Sequence, residues 1–240
     1  MIRFLCLNAF IALHTIIMCL WGLLLAIFDR NGKLIRLNVA VPWAKMILWV
    51  CGVKVKVKGL ENVDSNSPRI YLSNHQSYFD IFTLLAGLPM DFKFLLKHEL
   101  MKIPFLGSTM KRARYISIDR GDRRKALKSM NEAAEKIKNG DSVLIFPEGT
   151  RSTDGHVQPF KKGGFHLALK SGCDIVPVSI IGSRDIVPKG SLRINRGTIT
   201  MIIGRPVPVK DLLKRDMDGL IEQTRKAVIN QMTDQDRTVY

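Results

Sequence analysis

The sequence predicts an α/β fold: a mixed, largely parallel central sheet flanked by helices, preceded by an N-terminal, membrane-embedded two-helix anchor. Three observations carry this prediction. From residue 53 onward, short β-prone runs alternate with helical stripes, the pattern of strands joined by crossover helices. Two polar clusters, Asn74-His75-Gln76-Ser77-Tyr78-Phe79-Asp80 and Phe146-Pro147-Glu148-Gly149-Thr150-Arg151-Ser152, each follow directly on a strand-like run. In open α/β sheets, ligands gather at the carboxyl ends of strands. The third observation is that Phe4 to Phe28 runs 25 residues without a formal charge.

As a helix that first stretch would be roughly 37 Å long, enough to cross a hydrocarbon core of about 30 Å. It is too long for the core of a signal peptide, and the polar turn Asp29-Arg30-Asn31-Gly32-Lys33 follows it where a cleavage site would stand. A second apolar stretch, Leu34 to Val53, is interrupted by Arg36, Asn38, Pro42 and Lys45 and carries Trp43 and Trp49, residues suited to a membrane interface. Two arrangements compete: one spanning helix, or a hairpin dipping into one leaflet. The interruptions and the basic body favour the hairpin. Residues 1–53 therefore read as a membrane-associated helical hairpin and 54–240 as an α/β domain.

Along the domain, Val53-Lys54-Val55-Lys56-Val57-Lys58 alternates strictly and ends at Gly59, as a half-buried strand does. Arg69–Ser73 is a strand leading into the first cluster, and Asp80–Ala86 is helical up to Gly87-Leu88-Pro89. Phe92–Leu96 and Tyr115–Ile118 are short strands. Leu127, Met130, Ala134 and Ile137 form one helical stripe closed by Gly140. Ser142–Phe146 is the strand before the second cluster, and Lys162–Ser171 is a helix stopped by Gly172. Ile175–Ile181 is a buried strand whose Pro177 implies an irregular or edge position. Thr198–Ile203 is a later strand, and Leu213, Met217, Leu220, Ile221, Thr224 and Val228 mark a last amphipathic helix.

Lys and Arg number 37 against 21 Asp and Glu, a formal charge of +16. Such an imbalance points to a polyanion: nucleic acid, an anionic membrane surface or phosphorylated substrates. The long apolar N-terminus, with no nucleic-acid motif or aromatic stacking platform, argues against nucleic acid as a partner. Positive charge on the body suits the cytoplasmic side of a membrane. Cys6, Cys19, Cys51 and Cys173 show no metal-ligand or redox spacing, and no His, Cys or carboxylate set is spaced to hold a metal.

In Asn-His-x4-Asp the two ionisable groups stand five positions apart, so on one helix they would point about 140° apart. They meet only if His75 sits in the turn before the helix and Asp80 projects from its first turn. Asp80 then accepts the Nδ1 proton and leaves Nε2 free to take a proton from a hydroxyl. The competing reading is a loop histidine beside a capping aspartate. In the second cluster, Gly149 lets the backbone approach a phosphate, Thr150 offers a hydroxyl donor and Arg151 a bidentate one. Glu148 has a place there if it orients Arg151 or holds a substrate hydroxyl. Here too a plain polar turn competes. Lys97 and Arg120 are further cations that would complete an anion clamp. No Ser or Cys lies in a nucleophile elbow.

Taken together, these blocks closely resemble the glycerolipid acyltransferase family with its His-x4-Asp motif, and within it the bacterial lysophosphatidate acyltransferases. The resemblance rests on Asn74–Asp80, on Lys97 to the Ile118-Asp119-Arg120 block, on Phe146–Ser152 and on Ile175-Val176-Pro177-Val178, in that order. It implies His75 as general base oriented by Asp80, with Lys97, Arg120, Glu148, Gly149, Thr150 and Arg151 holding the glycerol phosphate. The implied reaction takes an acyl chain from acyl-CoA or acyl-carrier protein to the sn-2 hydroxyl of lysophosphatidate, at the cytoplasmic face of the inner membrane. It requires no cofactor and no metal. Arg114 departs from the pattern, standing where the family often has glycine. Two alternatives stay open: another lyso-lipid acceptor such as a lyso-ornithine lipid, and a non-enzymatic basic protein binding lipid at a membrane surface.

Overall fold

The N-terminal segment folds as two helical runs joined by a tight turn and laid against one face of a seven-stranded sheet. The computed structural model describes residues 2–64, 66–119 and 121–237. α1 (Ile2–Leu25) is followed by α2 (Lys33–Ile35), which continues through a π-helical turn, Arg36–Ala40, into α3 (Val41–Cys51). Both runs, Ile2–Leu25 and Lys33–Cys51, are long and apolar enough to cross a membrane. The second is continuous where its charges and Pro42 predicted interruption. Pro42 falls in the first turn of α3, and the π turn absorbs its missing donor.

Arg36 in that run serves the domain. Arg36 is 4% exposed; its Nη2 donates to the Leu88 carbonyl at 2.8 Å and its Nε lies 3.6 Å from Asp91 Oδ1. Lys93 Nζ, also buried, donates to Asp91 Oδ2 at 3.0 Å and to the Asn31 carbonyl at 3.1 Å. Asp29 closes the turn by accepting from Gly32 N and Ile35 N at 2.9 and 2.8 Å. The helical pair is thereby pinned to the domain by groups whose removal would leave buried charge uncompensated. Trp43, expected at a membrane interface, faces inward instead, donating to Thr15 Oγ1 at 3.0 Å and packing edge-on to Phe82. Trp49 is 76% exposed.

The strands are β1 (Val53–Lys58), β2 (Ile70–Ser73), β3 (Lys93–Lys97), β4 (Ile116–Ile118), β5 (Val143–Ile145), β6 (Ile175–Ile181) and β7 (Gly197–Ile203), in the order β1-β7-β6-β2-β5-β3-β4. Only the β6–β7 pairing is antiparallel, so the sheet is mixed and largely parallel, as its interleaved helices predict. The helices of the domain are α4 (Phe79–Gly87), α5 (Leu106–Arg112), α6 (Arg123–Lys138), α7 (Gly163–Ser171), the single turn α8 (Ser183–Ile186) and α9 (Met217–Arg237).

Alternation along the strands divides the core. Tyr71, Leu144, Val176 and Val178 face a cluster completed by Ile47 of α3 and Phe79, Phe82 and Leu84 of α4. Ile70, Leu72, Val143 and Ile145 face the other side, against Ala134 of α6, Phe165 and Leu167 of α7 and Leu220 of α9. Three layers result, with the N-terminal helices outside α4.

Local expectations were refined in two places. Pro177 lies in an interior strand. Its carbonyl accepts from Gly204 N at 2.8 Å, where the ladder to β7 is interrupted between Ile203 and the Ile175–Val207 bridge, so its missing N–H falls in that gap. Leu127 is 63% exposed; Ala133, Ala134 and Ile137 carry the buried face of α6.

Adjacent β2 and β5 send their following helices to opposite faces, α4 to one and α7 to the other. Their carboxyl ends therefore flank a switch point, where an open α/β sheet leaves a crevice.

Candidate active site

The chain leaves β2 at Ser73, and Asn74 fixes the turn: its Nδ2 donates to the Ile180 carbonyl at 2.8 Å and its Oδ1 accepts from Ile180 N at 2.7 Å. Asn74 thus ties this loop to the carboxyl end of β6. His75 follows in the turn, and Asp80 lies in the first turn of α4. Nδ1 of His75 is 2.7 Å from Asp80 Oδ2. The same oxygen accepts the Gln76 and Ser77 N–H groups at 2.7 and 2.9 Å. Asp80 is fully buried, and its other oxygen, Oδ1, has no hydrogen-bond partner among the described residues. The imidazole stacks on Phe146, centroids 3.9 Å apart and planes within 15°. Two contacts therefore fix the ring: a carboxylate at Nδ1 and an aromatic face from the β5 loop. With Nδ1 turned to Asp80, Nε2 is the nitrogen left for the cavity that His75 lines.

That cavity, about 630 Å³, lies between the N-terminal helices and the domain. Its walls are largely apolar: Ile11, Met18, Val39, Phe82, Leu96 and Met110 among others. An aromatic series runs along it, from Phe146 to Phe94 to Tyr115, with centroid spacings of 6.4 and 5.5 Å. Lys97, Gly149, Thr150 and Arg151 line the cavity together with His75, and Asn8, Thr15 and Thr109 stand among the apolar residues. Volume and lining fit a ligand with a long apolar part and one polar head.

The predicted anion grip is only partly assembled in the expected way. Arg151 lies over the Tyr78 ring, its Cζ 3.7 Å from the centroid, and its buried Nη1 has no hydrogen-bond partner among the described residues. The ring holds the guanidinium in place, and Arg151 is among the residues that line the cavity. Gly149 takes a positive φ of 76°, and its own N–H donates to the Phe146 carbonyl, closing the turn. Thr150 is exposed at the cavity wall. Lys97 lies at the rim in an ion pair with Glu99, 2.9 Å apart and each 56% exposed. Arg120 lies outside the described residues.

Glu148 does not take the place expected of it. It neither pairs with Arg151 nor lines the cavity; it is 3% exposed, and both its oxygens accept backbone N–H groups. Oε1 accepts from His75 N at 2.6 Å and Oε2 from Gln158 N at 2.9 Å. Burial pushes its carboxyl up to about 7, against those two hydrogen bonds. Ser152 N donates to the His75 carbonyl at 2.8 Å, so both backbone groups of His75 are held by the second cluster. Glu148 is a strut under the imidazole. Tyr78, Asn74 and Phe146 are the site residues that motif reasoning did not assign, since each acts through a partner distant in sequence. No group of three or more His, Cys, Asp or Glu among the described residues is placed to hold a metal.

Comparison with known proteins gives the same picture at the level of family. The family model described as Acyltransferase matches residues 54–181, which contain both polar clusters. A chloroplastic 1-acyl-sn-glycerol-3-phosphate acyltransferase of Brassica napus is 39% identical over 183 residues, covering 75% of this chain and 53% of that protein. The human 1-acyl-sn-glycerol-3-phosphate acyltransferase alpha is 31% identical over 201 residues, covering 83% of this chain and 69% of the human one. The chain spans about half the length of the chloroplastic relatives it matches. Among solved structures, the 1-acyl-sn-glycerophosphate (LPA) acyltransferase of Thermotoga maritima superposes with a TM-score of 0.81 at 27% identity, covering 97% of both chains. A matched model over more than half the chain, a shared fold over nearly all of it and a buried His–Asp pair at the switch point lead to one conclusion: this chain belongs to the acyltransferase family.

Proposed function

We propose that the chain transfers an acyl group from an acyl thioester, acyl-CoA or acyl-carrier protein, to the sn-2 hydroxyl of lysophosphatidate, giving phosphatidate. The reading is carried by the His75 ring, held at Nδ1 by Asp80 with Nε2 left for an apolar cavity, and by the Arg151 cation lining that same cavity. The names of the relatives support the acceptor.

In the proposed reaction, His75 Nε2 takes the proton of the sn-2 hydroxyl as its oxygen attacks the thioester carbonyl. The C–O bond forms, the tetrahedral adduct collapses, the C–S bond breaks, and the leaving thiolate recovers the proton from the imidazolium. Asp80 stabilises that imidazolium and fixes its tautomer. Arg151 holds the phosphate, Thr150 adds a hydroxyl, Gly149 shapes the turn that presents them, and Lys97 supplies charge at the rim. The chemistry asks for no metal and no cofactor beyond the thioester.

Residues 1–53 act as a membrane-seated helical hairpin and 54–240 as the acyltransferase domain. Exposed Leu13, Ile17, Leu20, Trp21 and Leu24 of α1 and Trp49 of α3 form the lipid-facing surface, while the inner faces of these helices wall the cavity. Both acyl chains then stay in apolar surroundings, which matters because each exposed methylene costs about 0.8 kcal/mol. The same reading sets the body at the cytoplasmic face of the inner membrane, which the charge of +16 supports.

The test is acyl transfer by purified protein from labelled acyl thioester to lysophosphatidate, beside a lyso-lipid lacking the phosphate, for wild type and His75→Ala. The expected outcome is transfer to lysophosphatidate alone, lost in the variant. Equal transfer to both acceptors sinks the phosphate clamp, and undiminished turnover by His75→Ala sinks the base.

A further inference from the structure

The segment between β3 and α5 has no part in the chemistry above, yet it is shaped with unusual force. Lys102, Ile103, Pro104 and Phe105 are all exposed, and Phe105 is 46% exposed with φ 60° and ψ −55°. Leu106 N donates to the Pro104 carbonyl at 2.6 Å, so Phe105 is the central residue of a γ-turn of the rare, strained kind. The surrounding chain imposes this conformation. Gly107 N donates to the Ile103 carbonyl at 2.8 Å, and a Cβ on Gly107 would stand 2.1 Å from the Met101 carbonyl oxygen. Strain held in place by its surroundings, to keep an aromatic ring in the open, calls for a partner for that ring.

The position of the turn identifies the partner. Thr109 Oγ1 lies 3.0 Å from the Phe105 carbonyl and 3.2 Å from the Cys19 carbonyl, which sets the turn against the flank of α1. Exposed Ile16, Ile17 and Leu20 lie on that stretch of α1. Leu100 and Ile103 line the cavity, so the turn also stands beside that cavity. Exposed Lys102 adjoins the apolar tip, and exposed Lys111 and Arg112 stand in the last turn of α5 behind it. Exposed apolar residues with cations on both sides in the chain, set against the flank of α1, fit an anionic lipid surface.

We propose that the Ile103-Pro104-Phe105 turn is a second membrane-inserting element. It seats in the headgroup region beside α1 and brackets the cavity, so that a lipid acceptor passes sideways from the bilayer to His75. The inference rests on the membrane-seated hairpin proposed above, and its test separates the two.

The test is carried out on the full chain in liposomes containing anionic phospholipid and nitroxide-bearing lipid. An environment-sensitive fluorophore is attached to Cys6, the exposed cysteine of α1, or to Phe105→Cys or Lys226→Cys in a Cys6→Ala background; Cys19, Cys51 and Cys173 are buried. Lys226 lies on α9, behind the opposite face of the sheet. The label at 105 is expected to be quenched as strongly as that at Cys6, and severalfold more than that at 226. Quenching at Cys6 with position 105 behaving like 226 overturns the second element and leaves the hairpin standing. Quenching at neither removes both. In parallel, Phe105→Ser should lower turnover of vesicle-embedded acceptor about fivefold, the scale of one partly buried aromatic ring, and spare a water-soluble short-chain acceptor. An equal effect on both acceptors also overturns it.

Discussion

Asp80 Oδ2 lies 2.7 Å from His75 Nδ1 while accepting the N–H groups of Gln76 and Ser77. One oxygen thus organises the whole His75 turn, and it can do so only as an acceptor. Asp80→Asn would place an amide NH2 against some of these donors or turn the imidazole to its other tautomer. Turnover should fall about 10³-fold, the scale at which a general base fails, with acceptor KM little changed. Steady-state kinetics read this directly; a variant losing only KM would reassign Asp80 to a structural cap.

Arg151 depends on Tyr78, whose ring lies 3.7 Å beneath its guanidinium carbon. Replacing that ring by Leu leaves the charge but frees its orientation. A cation–π contact of about 0.5–2 kcal/mol translates into a rise of roughly 3- to 30-fold in lysophosphatidate KM, with kcat nearly unchanged. Arg151→Lys should behave similarly, because an ammonium cannot reproduce the planar fork. The opposite split, kcat lowered with KM intact, would place Tyr78 in the chemical step.

Glu148 gives the fold a pH dependence of defined sign. Its carboxyl, pushed to about 7 by burial, lies above the usual 4.5, so the folded chain keeps a proton that the unfolded chain has released. Stability from this group is therefore full below pH 4.5 and is lost as pH rises toward 7, by at most about 3 kcal/mol. Thermal unfolding in detergent should show Tm falling over this range in wild type, and less so in Glu148→Gln. The variant should also be less stable at pH 5, since its NH2 opposes one of two backbone N–H donors.

What was legible in the sequence follows from the range of the interaction that fixes each feature. Apart from α5 and the single turn α8, the order of strands and helices was legible because alternation and stop residues such as Gly140 and Gly172 act locally. The His75–Asp80 pair was legible because turn and helix geometry alone decide whether five positions can close. Glu148 was not, because His75 meets it only through the pairing of β2 with β5, and Gln158 only through the fold of the irregular loop after β5. Arg36 read as an interruption of an apolar helix, since nothing nearby in the chain reveals Asp91 and Leu88 across the domain. Pro177 read as edge or irregular, and the irregularity alone was correct, because the ladder gap opposite it comes from β7.

Arg114 carries a prediction about strain. Its φ is 63°, a conformation that costs an L-residue about 1–2 kcal/mol and a glycine nothing. Its side chain is exposed, and its carbonyl, which accepts from Lys136 Nζ at 3.0 Å, survives substitution. Arg114→Gly should therefore raise Tm by about 2 °C despite the added freedom of the unfolded chain, and Arg114→Val should lower it. A Tm lowered by glycine would mean that the arginine side chain stabilises the turn.

On the proposed function, the chain length that the cavity takes should depend on where its aromatic series ends. Phe146 packs on His75, Phe94 follows, and Tyr115 closes the series beside Met110, whose carbonyl accepts from Tyr115 N at 3.1 Å. Met110 lines the cavity on α5 and is flexible enough to yield space to a bound chain. Met110→Trp replaces it with a rigid ring and shortens the apolar path measured from His75. Turnover of long-chain substrates should fall about tenfold while that of short-chain ones holds, because a few methylenes at about 0.8 kcal/mol each lose their place. Met110→Leu, which conserves volume, should leave the chain-length profile as it is. A series of acyl thioesters and lysophosphatidates of graded length measures the profile for each substrate separately. No change at any length would mean that neither substrate chain reaches Met110, and that the cavity is longer than its occupant.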